Sequence, residues 1–364
     1  MPRVMYRIRA ALALAVALVA AGSLTSTAVA KPTGIYPSWT ITPADSAAQT
    51  HTGTITFGIT GMPDATFTIT KPVANADATS ELLNASTGGD WFGTETPFGA
   101  IFGASGPAQP FQYIEASAAD ESVTTTITFA SPVPAGVLGI AVGDLDVDEA
   151  VFTGKNGSTT LTGAQLQGSA DPVGFNFCNV TADIPTNCAV VTYRIPSASA
   201  SGSVTTFDVP TWTAGSKSGT AKGTMATSDG ATAWLRPSTK IRELKIVFRR
   251  ADGETGRSSF RLWAAALLNN VAGKVTKAGR GVKGVTVKLY GPGSSKALAT
   301  TKTAAGGLYV FPGIAATNGY KVKITAPKGT TASPASKTAN IAVNDALTVN
   351  FTLRKKATTP KFTG

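Results

Sequence analysis

The stretch Gly284-Val-Thr-Val-Lys-Leu-Tyr290, followed by Gly307-Leu-Tyr-Val-Phe311 and Gly319-Tyr-Lys-Val-Lys-Ile324, decides the fold class. In each run apolar and polar residues alternate, the period of a strand with one buried face. A glycine precedes each run, the residue that turns take where the chain changes direction. Short Thr, Val, Ile and Phe runs separated by Gly, Pro, Asn and Asp recur through the chain, and helical periodicity is almost absent after the first thirty residues. An all-β protein is expected.

The spacing of these three runs resembles the prealbumin-like modules known as Cna B-type, SdrD B-like or carboxypeptidase-regulatory-like domains, over roughly residues 270–353. The resemblance implies a small Ig-like β-sandwich. Such modules serve as stalks and accessory parts of secreted and surface proteins, so a noncatalytic extracellular role is implied too. Cna B-like modules often carry a Lys–Asn isopeptide bond assisted by a buried acid. Lys274 and Asn350, in Val349-Asn-Phe-Thr-Leu353, match the two bonding positions. The matching glutamate is missing: Ile324-Thr325 stands about where it should lie, and no glutamate follows residue 270. No isopeptide is expected. The Asp-rich calcium loop of SdrD B-like modules is absent as well, which favours the plain regulatory-like type. The shared fold is described as carbohydrate-binding-like, and that implies a possible glycan role without establishing one.

The N-terminus points to export. Arg3, Arg7 and Arg9 precede an apolar run from Ala10 to Ala21, and Ala28-Val29-Ala30 supplies the small-x-small cleavage pattern of a secretory signal peptide. Residues 1–30 are therefore set apart and mature protein is expected from Lys31. No later segment is apolar enough to span a membrane. Pro360 and Thr363-Gly364 only faintly resemble a sortase signal, so release or noncovalent attachment to the envelope is expected. In an exported chain the two cysteines, Cys178 and Cys188, read as one disulfide across a short loop. Its closure contributes about 2–3 kcal/mol if strain is small.

Charge divides the chain more sharply than hydrophobicity does. Residues 271–364 carry fifteen Lys/Arg and one acid, Asp345, a net of +14; residues 31–270 carry fourteen Lys/Arg and twenty acids, a net of −6. A field of one sign attracts polyanions: acidic wall polymers, anionic lipids or glycans. Lysines on strands also keep exposed edges soluble and unpaired. No recognition helix or RNA-binding signature accompanies the charge, so specific nucleic-acid binding is not expected. Residues 31–268 read as one larger domain, with strands expected at Gly53–Thr60, Ala65–Lys71, Ser122–Ala130, Gly136–Val142, Ala189–Ile195, Ser203–Val209, Ile241–Arg249 and Phe260–Leu267. That number of strands suggests a sandwich or jelly roll. Ser122–Asp148, with Gly139-Ile-Ala-Val-Gly-Asp-Leu-Asp146, resembles the jelly-roll-like domains of some secreted bacterial proteins. Phe260–Leu267 also has the propensity for a short helix, through Ala264-Ala-Ala-Leu-Leu268. Leu268-Asn-Asn-Val271 leaves almost no linker before the module at 271–353, so a stiff join is expected. Residues 354–364 read as a basic flexible tail.

Three groups of residues can carry chemistry. Asp144, Asp146 and Asp148, with Glu149, form the densest acidic cluster; alternate carboxylates can converge on a hard cation, so they are candidate ligands for a structural calcium. The string lacks the glycine and distant glutamate of an EF-hand loop, and a solvated turn is the competing reading. No other cofactor is expected. Residues 91–113 concentrate aromatics among glycines and prolines. Trp91 and Phe92, together with Trp212, are candidate platforms for stacking on sugar rings, with core packing as the competing fate. Catalytic signals are poor. His51 is the single histidine, no Gly-x-Ser-x-Gly elbow exists, and a histidine-based zinc site lacks ligands. Asp90, Glu95, Glu115, Asp120 and Glu121 are available for a carboxylate-pair glycan hydrolase. Gly279-Arg-Gly-Val-Lys-Gly284 matches the dinucleotide fingerprint formally but enters a strand, so it reads as a turn. The function expected from the sequence is binding or adhesion at the cell surface, with a polysaccharide or an anionic envelope polymer as partner. A structural envelope protein without a discrete ligand and a secreted hydrolase are the alternatives.

Overall fold

The computed structural model describes residues 32–42, 50–70, 80–84, 92–105, 110–116, 122–145, 147–179, 207–224, 230–251, 258–342 and 347–357. The expected signal segment, the Ala189–Ile195 strand and most of Ser203–Val209 lie outside the described residues. In chain order the first part contains β1 (Thr33–Ile35), β2 (Ser38–Thr42), β3 (Thr50–Thr56), β4 (Ala65–Thr70), β5 (Ser80–Asn84), β6 (Pro110–Ala116), β7 (Val123–Val133), β8 (Leu138–Gly143) and β9 (Asp148–Asn156). There follow β10 (Thr159–Thr160), β11 (Gly174–Asn176), β12 (Thr211–Ala214), β13 (Gly219–Lys222), β14 (Ala231–Leu235) and β15 (Ile241–Arg250). β16 (Ser258–Lys277) leads into β17 (Arg280–Gly281), β18 (Thr286–Tyr290), β19 (Ala297–Lys302), β20 (Leu308–Ala315) and β21 (Tyr320–Thr325). The chain closes with β22 (Thr330–Ala332), β23 (Ser336–Ala339), β24 (Leu347–Thr348) and β25 (Phe351–Lys355).

The fold is all-β and built as two sandwiches. In the first, a nine-stranded sheet ordered β12-β13-β9-β15-β7-β4-β3-β2, with β10 paired to β9, packs over a sheet containing β11-β14-β8-β16, with β6 and β1 also paired to β16. Its core runs from Trp39 and Phe67 through Phe129, Phe152 and Phe248 to Trp234 and Trp263. In the second, β19-β18-β21-β23 faces the layer made by the end of β16 with β20, β24 and β25. Val287, Leu289, Phe311, Tyr320, Val322 and Phe351 fill the space between. The opening stretch behaves as its alternation requires: β21 is strictly buried–exposed, with Tyr320, Val322 and Ile324 inward and Lys321 and Lys323 outward. The three glycines ahead of the runs, Gly284, Gly307 and Gly319, have φ of 83°, 76° and 85°, a region that L side chains avoid.

β16 joins the two halves. It is 20 residues long, against about 5–6 for an ordinary strand, and at about 3.3 Å per residue it spans roughly 65 Å. Its first half pairs with β6, β8 and β1, its second with β20, β24, β25 and β17. The helical alternative for Phe260–Leu267 is overturned. Leu262, Trp263, Ala264, Ala265, Ala266 and Leu267 are all at most 3% exposed. A strand covered on both faces shows no alternation, and burial overrides the modest helix preference of alanine. The join between domains is a register shift in the same strand, between Asn269 and Val271, the mark of a β-bulge. Asn269 Oδ1 accepts from the Asn270 amide at 2.8 Å, and Asn270 Oδ1 from the Gly313 amide at 3.0 Å.

Further contacts brace the junction. The Thr60 amide donates to Gly313 O at 3.1 Å, the Ala315 amide to Thr60 O at 2.9 Å and the Ala316 amide to Leu267 O at 2.9 Å. Ala315 and Ala316 belong to the core of the larger domain. A cleft of about 420 Å³ opens beside this seam, between Met62, Pro132 and Lys240 of one domain and Pro292, Leu298 and Tyr320 of the other. Arg354 and Lys355, expected in the basic tail, extend β25 instead, and residues 358–364 lie outside the described residues.

Two bodies that share a strand unfold together. The mature chain should therefore show one calorimetric transition. A short Gly/Ser insertion between Asn269 and Asn270 should split it in two; two transitions in the unaltered chain would contradict the shared-strand coupling.

Candidate functional site

Phe92, expected as a stacking platform, packs among other aromatics instead. Phe92 is 0% exposed, and its ring lies 4.5 Å from Trp263, 5.2 Å from Phe98, 5.6 Å from Phe175 and 6.0 Å from Phe177, centroid to centroid. Phe98 and Phe102 sit on the short helix Pro97–Phe102, capped by Thr96 Oγ1 accepting from the Gly99 amide at 3.0 Å, and they close over Trp234. As a stacking platform Phe92 is therefore corrected: it is a core ring. Trp91 lies outside the described residues. Trp212, on β12 at one end of the nine-stranded sheet, is half-buried, 5.9 Å from Phe152 and laid across Gly219. It keeps part of its ring at the surface.

The acidic cluster is met by arginines. Asp144, at φ 66° just after β8, pairs with Arg261 and accepts from Ser259, both on β16. Asp148 Oδ1, 4% exposed, pairs with Arg250 Nη1 at 3.5 Å. Glu149 pairs with Arg249. The last two pairs are cross-strand neighbours, since β9 and β15 register Arg249 against Glu149 and Arg250 against Asp148. Asp146 lies outside the described residues, and among those described no group of three metal-ligating side chains forms. Opposite charge brought in on two neighbouring strands relieves the carboxylate repulsion that a cation would otherwise have to relieve. These arginines were not legible as partners before the register was known.

His51 is buried on β3, facing Ile69 across the pairing with β4. Of the five acids weighed for hydrolysis, Asp90, Asp120 and Glu121 and the side chain of Glu115 lie outside the described residues. Glu95 borders a cavity of about 270 Å³ with Pro97, Phe175 and Asn176, and no second described carboxylate lines it. Lys274 and Asn350 are brought together, but through the backbone: the Lys274 amide donates to Asn350 Oδ1 at 2.8 Å. The dinucleotide-like string is a hairpin turn, with Ala278 at φ 47° and Gly279 at φ 76° between the paired residues Lys277 and Arg280. Cys178 is buried and its amide donates to Asn176 Oδ1 at 2.9 Å. Cys188 lies outside the described residues.

Six cations of the C-terminal module lie near its far tip, while others such as Lys288, Lys321 and Lys323 line β18 and β21. Lys277 pairs with Arg280 across the hairpin and with Leu353 on β25; Lys355 pairs with Thr330, and the Lys356 amide donates to Gly329 O at 3.1 Å beside Lys328. Lys277, Arg280, Lys328, Arg354, Lys355 and Lys356 are all exposed. The backbone pairing thus gathers onto one surface charges spread over 80 residues of sequence.

Arginine pairing and calcium make opposite predictions. A chelator should leave the melting temperature unchanged. Arg250→Met should destabilise the fold by about 1–3 kcal/mol in chemical denaturation, because it takes a charged partner from a buried carboxylate. A chelator-induced drop in melting temperature would restore the metal.

Comparison with known proteins bears on the module alone. No curated protein matches the chain. Among solved structures, the chain is similar to the pilus backbone of Streptococcus pneumoniae, at 10% identity over 76% of this chain and 56% of that one, with a TM-score of 0.18. It is similar to the Bacillus anthracis TIE protein at 12% identity, covering 87% and 58%, TM-score 0.20. It is similar to the pilus adhesin of Streptococcus pneumoniae at 9% identity, covering 66% and 34%, TM-score 0.17. The chain spans little more than half of the first two and a third of the last, and likenesses this slight carry no functional argument. Residues 268–361 match the family model of the SdrD B-like domain, and the C-terminal module is of that type.

Proposed function

We propose that this chain is an exported, noncatalytic cell-surface protein, held against an anionic envelope polymer by its SdrD B-like module. The observation that carries this reading is the cationic tip of Lys277, Arg280, Lys328, Arg354, Lys355 and Lys356 on a module with a net charge of +14. The tip lies at the end of β16 remote from the larger domain, so a polymer bound there leaves that domain projecting outward. The stiff shared strand suits a spacer. The signal segment and the absence of any described helix long and apolar enough to cross a membrane accord with export.

In this reading the larger domain contacts a glycan through the exposed part of Trp212. The paired acids and buried aromatics are structural. Cys178 and Cys188 close one disulfide in the exported protein: intact mass should rise by two hydrogens on reduction, and an unchanged mass would remove the bond.

The attachment is testable with the mature chain on isolated envelopes and on an immobilised anionic polymer. The Debye length falls from about 30 Å at 0.01 M to about 3 Å at 1 M salt, so retention by exposed cations should be lost at high salt. The triple reversal Lys277→Glu, Arg280→Glu, Lys355→Glu should abolish it at low salt. Retention that survives both treatments sinks the electrostatic attachment. Salt-resistant retention on a polysaccharide, abolished by Trp212→Ala, is the outcome expected of the glycan contact.

A further inference from the structure

Four strands at one edge of the nine-stranded sheet, β2, β3, β4 and β7, present threonine at almost every outward position. On β3 the inward residues His51 and Ile55 are buried while Thr50, Thr52, Thr54 and Thr56 face solvent. Pairing sets Thr52 beside Thr42 and Thr68, and Thr68 beside Thr126. One step along, Thr54 lies beside Thr40 and Thr66, and Thr66 beside Thr128. One step the other way, Thr50 lies beside Thr70, and Thr70 beside Thr124. The result is a grid with rows of four, four and three threonines, each exposed or half-buried.

Threonine is a good strand former and cross-strand Thr pairs stabilise a sheet modestly, but other described strands mix in charge. The neighbouring strand of the same sheet continues these rows with Glu243, Lys245 and Val247. β21 in the other domain puts Lys321 and Lys323 outward. Edge strands are ordinarily protected by charge, yet edge strand β2 shows only Ser38, Thr40 and Thr42. Threonines also face outward elsewhere, with Thr213 beside Thr220 on β12 and β13, but the contiguous rows across four strands lie on this face.

Strand geometry spaces the grid at about 4.8 Å across strands and roughly 6.6 Å between alternate residues along them. The β-branched side chain has a stiff χ1, so hydroxyls and methyls recur at repeated positions, and Thr40 Oγ1 and Thr54 Oγ1 already share a hydrogen bond of 2.6 Å. The face covers roughly 400 Å² on those spacings, about half of the ~800 Å² that a stable protein partner buries. It has no cations for a nucleic acid, no charge for an ionic polymer and no aromatic platform of the kind that orients a single sugar. Identical donor–acceptor–methyl units repeating in two directions suit a ligand that repeats in two directions. Ice presents oxygen rows with a short and a long repeat of this size.

We propose that the β2–β3–β4–β7 face binds ice, its hydroxyls joining the lattice and its methyls ordering the water between rows. This goes beyond the envelope attachment and does not rest on it. Neighbouring strands rotate by roughly 20–25°, so register holds over adjacent strands and the effect should show as inhibited recrystallisation of small crystals.

The test follows the fluorescently labelled mature chain into slowly grown ice and measures recrystallisation. The unaltered chain and Thr300→Tyr, exposed on β19 of the other domain, should enrich in ice. Thr52→Tyr/Thr68→Tyr should be excluded like a non-binding control protein, with circular dichroism unchanged because tyrosine favours strands. Thr52→Val/Thr68→Val, nearly isosteric, serves if the tyrosines disturb folding, and should lose enrichment as well. Exclusion of the unaltered chain from ice, or enrichment indifferent to both double variants, overturns the proposal. So does retention on crystalline chitin or cellulose that depends on Thr52 and Thr68 in a protein that ice excludes, which would assign the grid to polysaccharide.

Discussion

The pairing of β16 with partners from both sandwiches is the constraint on which the rest depends. A strand this long cannot be completed by either domain alone, because its backbone donors and acceptors are met by β6, β8 and β1 up to Leu268 and by β20, β24, β25 and β17 beyond it. Unmet backbone groups in a buried layer are costly, so the two domains form around one another. The bulge at Asn269–Asn270 lets a single strand serve two cores. It inserts a local change of direction, and the two asparagine side chains bond the backbone amides around it.

Charge is distributed along this axis. Where β16 begins, Arg261 and Ser259 meet Asp144, and on β15 Arg249 and Arg250 meet Glu149 and Asp148, so these charges of the larger domain are paired. Where β16 ends, Lys277 registers with Arg280 on one side and with Leu353 on the other, next in sequence to Arg354 and Lys355. Bringing like charges together on a surface costs little when they are solvated and screened, and it concentrates a field that paired charges lack. The shared strand thus carries paired charge near its start and exposed cations near its end.

The parts legible in the sequence were those whose physics is local. Period-2 alternation placed β18, β20 and β21, and turn glycines placed their starts, because a half-buried strand writes its environment into consecutive residues. The stretch Phe260–Leu267 was ambiguous for the converse reason: a strand buried on both faces carries no alternation, and its alanines fit a helix equally well. Phe92 reads as either ligand platform or core ring, because glycine and proline around an aromatic suit an exposed loop and a buried cap alike. What separates them is the long-range arrival of Trp263 and Phe175. The arginine partners of the acid cluster lie 100 or more residues downstream and become partners only through strand register.

The threonine rows show the same limit from the other side. Thr-x-Thr is visible in β2, β3, β4 and β7 one strand at a time, and each instance alone is an ordinary exposed strand. Register turns the separate pairs into rows, and a one-residue slip in any of the four strands would bury its threonines and expose its core residues. The inward positions, Trp39, Ile55, Phe67, Ile69 and Ile127, forbid that slip by their burial. The core therefore specifies the surface: the packing that stabilises this sandwich also fixes where each hydroxyl lies relative to its neighbours, so a periodic face needs no stabilising interactions of its own beyond those that fold the sheet.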